Sequence, residues 1–118
     1  DILLQLESAT DEWSQKTAQA LRHRSPLMLH VVLEQIRRAR QMSLADDLRM
    51  ERDMVHHCFH LRAVTDSDTV EGIRALAVDK DHSPNWKPAR IEEVDAGEAA
   101  RFFKSPWPLD DHPLRDLA

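Results

Sequence analysis

Glycine is nearly absent, tyrosine is missing altogether, and Cys58 stands alone among 118 residues. With only Gly72 and Gly97 free to take positive φ without strain, hairpin-rich β architectures are disfavoured. Two isolated glycines also cannot build a phosphate-cradling Gly-rich loop. One cysteine closes no intrachain disulfide and fits a reducing compartment. No apolar run approaches the roughly 18 residues of a membrane span, and no signal-peptide pattern occurs. The expected setting is therefore neither secreted nor membranous.

What remains is 42% hydrophobic and 31% charged, a balance that suits a helix-rich protein and argues against disorder. The net charge of −5 exerts no global pull toward nucleic acid. Apolar residues recur at helical spacing in four stretches. Ile2, Leu3 and Leu6 read as the last turns of a preceding helix. Thr10, followed by Asp11 and Glu12, reads as an N-terminal cap with acids on the positive end of the dipole. Trp13, Thr17, Ala20 and Leu21 follow at helical spacing. Ser25-Pro26 is a cap with proline at the first helical position. It opens a stripe of Leu29, Leu33 and Ile36 with Val32 beside them. Ser43-x-x-Asp46 resembles a capping box and opens the longest helix, with Leu44, Leu48, Val55 and Phe59 on one face. Asp68-x-x-Glu71 opens a fourth helix that carries Ile73, Leu76 and Ala77. Beyond Asp81, prolines at 84, 88, 106, 108 and 113 break the pattern, with short turns expected over Arg90 to Val94 and Glu98 to Phe103. The expectation is an all-α fold: about four main helices in a small bundle, with an irregular tail over residues 82–118.

Three blocks resemble the 3-hydroxyisobutyryl-CoA hydrolases of the enoyl-CoA hydratase/isomerase (crotonase) superfamily. They are Ser25-Pro26 running to Leu33 and Arg37-Arg38-Ala39-Arg40; Ser43-Leu44-Ala45 with Leu48, Met50 and Glu51; and Glu71 to Val94, with Asp79-Lys80-Asp81 and Trp86-Lys87-Pro88. The resemblance runs over most of Ile2 to Phe103 and departs at Val70, where the family has an aromatic, and at His56-His57-Cys58-Phe59-His60. It implies that residues 1–118 are the C-terminal helical part of an acyl-CoA enzyme. The catalytic core, with its oxyanion hole of two backbone N–H groups and its carboxylate, would lie outside the chain. It further implies a coenzyme A thioester as substrate of the parent enzyme and no cofactor. The partners it implies are the chain's own N-terminal catalytic core and further copies of the enzyme, with neither nucleic acid nor membrane among them. A bacterial cytoplasm or a mitochondrion is the setting it implies. Hydrolase is favoured over hydratase on the third block. The rival is a stand-alone helical interaction module unconnected with CoA.

The same resemblance marks Lys80 as the residue that would contact the CoA phosphates or adenine. Read from the residues alone, Lys80 is a solvated lysine at the negative end of a helix. No catalytic residue is expected in this stretch. His56 and His60, spaced i, i+4, are candidate metal ligands with His57 and Cys58 nearby, although no third ligand is fixed and a polar helix face explains them. Arg22, Arg24, Arg37, Arg38 and Arg40 could gather where helices end and begin as a phosphate or nucleic-acid site, although cations at helix C-termini account for four of the five without any ligand. Gly72, inside a helix, suggests a close crossing. Trp86, Phe102, Phe103 and Trp107 give the tail the look of a cover for something absent, so the isolated chain is expected to self-associate, most simply as a two-fold dimer.

Overall fold

The computed structural model describes residues 2–118, and every described element is helical. Helix α1 (Ile2–Ser8) folds back on α2 (Glu12–Arg22); α3 (Pro26–Ala39) and α4 (Leu44–His60) follow. The short α5 (Asp68–Ile73) runs on into a π turn over Arg74–Val78, and α6 (Ala96–Ala100) into a 3-10 turn over Arg101–Phe103. Further 3-10 turns cover Val64–Asp66, Ile91–Glu93 and Leu109–Asp111.

The helix starts follow local chemistry. Ser25 Oγ accepts from Met28 N at 3.1 Å, with Pro26 at the first helical position, where its missing N–H costs nothing. Ser43 Oγ accepts from Asp46 N at 3.2 Å and donates to the Asp46 carboxylate at 2.9 Å. Two caps sit one residue from their expected places. Asp11, not Thr10, caps α2, accepting from Ser14 N at 2.9 Å. Ser67, not Asp68, caps α5 by accepting from Val70 N at 3.3 Å, which releases the Asp68 carboxylate for another task.

The larger correction concerns which faces are covered. The core is formed by Leu27 and Val31 of α3, Met50 and Met54 of α4, Ala99 of α6 and Phe102. The expected stripes point elsewhere: Val32, Ile36, Leu44, Leu48, Val55, Phe59, Ile73 and Leu76 are all exposed. On α2 the buried positions are Ser14 and Ala18, while Trp13 is 70% exposed. Both α3 and α4 carry apolar residues on two sides, and the sequence pattern gives no preference between them. Ala99 and Phe102, arriving from the tail, select the Leu27/Met54 side.

The aromatics of the tail find partners within this chain. Phe102 is buried in this chain's own core, Phe103 lies under the Arg38 guanidinium (4.4 Å to the ring centroid), and Trp107 packs between His56 and His112. Trp86 donates its Nε1–H to His23 O at 3.2 Å, and its ring lies where a Cβ on Gly72 would sit 3.3 Å from Cη2. That approach explains the glycine inside α5. The tertiary arrangement stays open. The radius of gyration is 16.1 Å, against roughly 13–14 Å for a compact domain of this length. Among the described residues, only Leu27 and Val31 have fully buried large side chains.

Candidate functional site

Two features stand out chemically: the turn that carries Lys80, and the outer side of the α3–α4 hairpin. Lys80 follows the π turn with φ 56°, and His82 has φ 55°; each holds a left-handed conformation that costs a side-chain-bearing residue about 1–2 kcal/mol. The turn is held by one guanidinium. Arg74 grips Glu71 with two hydrogen bonds of 2.8 and 2.7 Å, and reaches Asp79 and Asp81 at 2.7 Å each. Glu71 also accepts the Asn85 N–H at 2.8 Å, which carries the fastening across to the Trp86 segment.

This arrangement sets the charge pattern around Lys80. Both of its acidic neighbours, Asp79 and Asp81, are turned back onto Arg74. Lys80 itself is exposed and makes no ion pair or hydrogen bond with any described residue. The ammonium is left as a mobile point charge at the tip of a rigid turn, a form suited to phosphate groups of variable geometry.

The grip of Arg74, with help from the Asn85 N–H, lowers the Glu71 pKa from 4.5 to about 2. A depressed folded-state value means a stabilising contribution that is complete above pH 4.5 and disappears as pH falls from there through about 2. The Asn85 amide proton should therefore titrate by NMR with a midpoint near pH 2. A midpoint at the ordinary glutamate value would show that the clamp is open in solution.

The two histidine candidates are brought together, but in a stack. The His56 and His60 rings lie 4.4 Å apart at a 34° tilt, and Trp107 stands edge-on to His56 at 4.9 Å. His57 is turned away, donating from Nε2 to Lys104 O at 2.6 Å. Burial, and then the nearby His60, His57 and Arg52 charges, lower the His56 pKa. Among the described residues, no group of three or more His, Cys, Asp or Glu could hold a metal ion. Of the five arginines, Arg22 is engaged by Glu7 and Glu92, and Arg38 by Glu34.

Two buried polar clusters were not anticipated. Asp68 accepts the Ser25 hydroxyl on one oxygen and the Lys87 N–H, at 2.8 Å, on the other. It thus joins the starts of α3 and α5 to the tail. Asp53 of α4 accepts from Ser105 Oγ at 3.2 Å and meets His112 Nε2 at 2.9 Å. Because His112 Nδ1 accepts the Leu114 N–H at 3.0 Å, the proton of the neutral ring is on Nε2, donated to Asp53. The one available signal for this cluster was an aspartate between Met50 and Met54, on the side of α4 that faces inward.

The α3–α4 hairpin is apolar on both sides. Taking about 100° per residue, Val32 and Ile36 fall on the far side of α3 from Leu27 and Val31. Leu48, Val55 and Phe59 fall likewise on the far side of α4 from Met50 and Met54. Each helix thus carries a second apolar stripe outside the core, among the polar residues of its outer side, and those side chains are 36–54% exposed. Fold and surface together define a helical unit, without strands among the described residues, thin in its own core and open on one side.

A family model described as enoyl-CoA hydratase/isomerase matches residues 1–103. The 3-hydroxyisobutyryl-CoA hydrolase-like protein 5 of Arabidopsis thaliana is 39% identical over 94 residues, covering 80% of this chain and 24% of that protein. The mitochondrial 3-hydroxyisobutyryl-CoA hydrolase of Gallus gallus is 34% identical over 115 residues, covering 98% of this chain and 28% of that protein. The small ribosomal subunit protein mS47 of Arabidopsis thaliana is 36% identical over 104 residues, covering 88% and 25% respectively. The chain belongs to the enoyl-CoA hydratase/isomerase family, and it spans about a quarter of the length of these curated relatives.

Proposed function

We propose that the chain is the C-terminal helical segment of a CoA-thioester hydrolase whose substrate is 3-hydroxyisobutyryl-CoA. The observation that carries this reading is the 34% identity to the chicken hydrolase over 98% of the chain. The catalytic core is supplied by the part of the enzyme outside these residues, and the segment contributes assembly and a contact to the CoA moiety. Its partners are that core and further copies of the same enzyme. The word mitochondrial in the names of the chicken and Dictyostelium discoideum relatives supports a mitochondrial setting. Among the described residues, no helix is long and apolar enough to cross a membrane.

On this reading the 118 residues alone are inert toward thioesters, because the oxyanion hole and the catalytic carboxylate belong to the part of the enzyme outside them. Turnover of 3-hydroxyisobutyryl-CoA by the pure chain, above the rate in buffer, would overturn that expectation. The intact enzyme separates the hydrolase from its nearest rival, enoyl-CoA hydratase. Assayed against both 3-hydroxyisobutyryl-CoA and crotonyl-CoA, it should hydrolyse the first; preferential hydration of the second would defeat the assignment. A ribosomal role, as the name of the mS47 relative describes for that protein, is disfavoured here by the net charge of −5.

Lys80 is the residue assigned to the CoA phosphates. Lys80→Ala in the intact enzyme should raise KM for the acyl-CoA about tenfold with kcat little changed, the loss of one exposed charge–phosphate contact worth about 1.4 kcal/mol. The effect should shrink at high salt and be absent for a substrate truncated before the nucleotide. An equal KM for wild type and variant at low ionic strength would remove Lys80 from the site.

A further inference from the structure

We infer that the outer side of the α3–α4 hairpin is the face on which the rest of the enzyme chain packs; this deepens the function proposed above and rests on it. Four side chains form its centre: Val32 (44% exposed), Ile36 (50%), Val55 (54%) and Phe59 (45%). Leu44 and Leu48 extend it toward the turn between the helices. The two stripes share one side of the hairpin. Gln35 Nε2 donates to Glu51 Oε1 at 3.1 Å. By helical rotation each of these residues lies on a flank of its own helix, between the core side and the outer stripe. Joining those flanks puts both core sides below the seam and both outer stripes above it.

The charges of α4 leave the stripe clear. Glu51 is drawn into the seam by Gln35, and Arg52 is laid over the Trp107 ring at 4.8 Å. Leu48, Val55 and Phe59 therefore continue past them as one apolar strip, 36–54% exposed and bordered by polar groups. The inner side is already taken by Ala99 and Phe102.

The occupant follows from size. The chain covers 24–28% of its curated relatives, so about three quarters of a family enzyme lies outside the matched stretch. A hairpin with a second, half-exposed apolar stripe, in a segment where Leu27 and Val31 are the only fully buried large side chains among the described residues, is a layer awaiting a second layer. The remaining polypeptide of the same enzyme, about three times as long as this segment, is the occupant it awaits.

The test is thiol accessibility. In a Cys58→Ser background, single cysteines are placed by Val55→Cys and Phe59→Cys on the face. Leu109→Cys, at a position 89% exposed and off the face, serves as the reference. Each is reacted with a maleimide in the folded 118-residue chain and in the intact enzyme, with circular dichroism confirming the fold. All three should react fast in the chain. In the intact enzyme Val55→Cys and Phe59→Cys should slow by about a hundredfold, as expected of a site reached only through opening, while Leu109→Cys stays fast. Unchanged labelling of the two face positions in an intact enzyme that still hydrolyses its thioester would overturn the inference and leave the functional reading standing. An intact protein with no CoA-thioester hydrolysis would instead sink that reading, and the inference with it. Protection already present in the 118-residue chain, together with a dimer in sedimentation, would make a second copy the occupant and refute the assignment made here.

Discussion

Asp68→Ala should unfold the chain or come close to it. The carboxylate is 6% exposed and accepts two hydrogen bonds from parts distant in sequence, the Ser25 hydroxyl and the Lys87 backbone N–H. Each hydrogen bond to a charged group contributes about 1.5–3 kcal/mol, and removing the acceptor leaves the Lys87 N–H partly buried without a partner. A loss of about 3 kcal/mol or more is expected, a large part of the stability available to a chain with so thin a core. Asp68→Asn keeps one acceptor oxygen for Lys87, and its amide can donate to the Ser25 oxygen, so it should lose about half as much. Urea denaturation followed by circular dichroism reads both. If Asp68→Ala shifted the midpoint no more than an exposed control such as Asp110→Ala, the buried cluster would have no structural weight.

His112→Phe is the second large effect. His112 is 6% exposed and Asp53 7%, and the imidazole supplies the shorter of the two side-chain hydrogen bonds at Asp53. Without it, the Asp53 carboxylate keeps only the Ser105 hydroxyl in a largely dry setting, at a cost of about 3 kcal/mol. The same ring accepts the Leu114 N–H, and Arg49 reaches the carbonyls of Leu114, Arg115 and Leu117 from α4. The variant should therefore release the last dozen or so residues as a unit. Amide exchange over residues 105–117 should rise well before α3 and α4 are affected. Asp53→Ala should cost less than His112→Phe, since it leaves a neutral ring in place of a stranded charge. The reverse order would contradict the charge states assigned to the pair.

Much of the backbone was legible because its causes are local. Ser25 and Ser43 cap through their own hydroxyls, and Pro26 fits only at a helix start. Spacing alone therefore located α3 and α4. The errors at Thr10 and Asp68 are single-residue shifts between neighbours with equal capping chemistry. The all-α class followed from the scarcity of glycine and the helical repeat, and the family from the Asp79-Lys80-Asp81 and Trp86-Lys87-Pro88 blocks.

Lys80 was named from the resemblance. Its isolation from Asp79 and Asp81 was not readable in advance, because the grip of Arg74 on those two acids depends on a π turn and two left-handed residues. The Asp53–His112 pairing spans 59 positions and the Asp68–Lys87 contact 19, with nothing in the intervening sequence to announce either.

Helix positions, caps and family membership were set by the order of residues, since each depends on neighbours within a few places along the chain. Which side of α3 and α4 would be buried was left to the tertiary fold. Both sides are apolar, so hydrophobic periodicity supplies no preference between them. Ala99 and Phe102, arriving from beyond residue 95, cover the Leu27/Val31 and Met50/Met54 side and leave Val32, Ile36, Val55 and Phe59 facing outward. Burial depends on which surfaces meet in three dimensions, and that is decided only when the tail has folded back onto the hairpin.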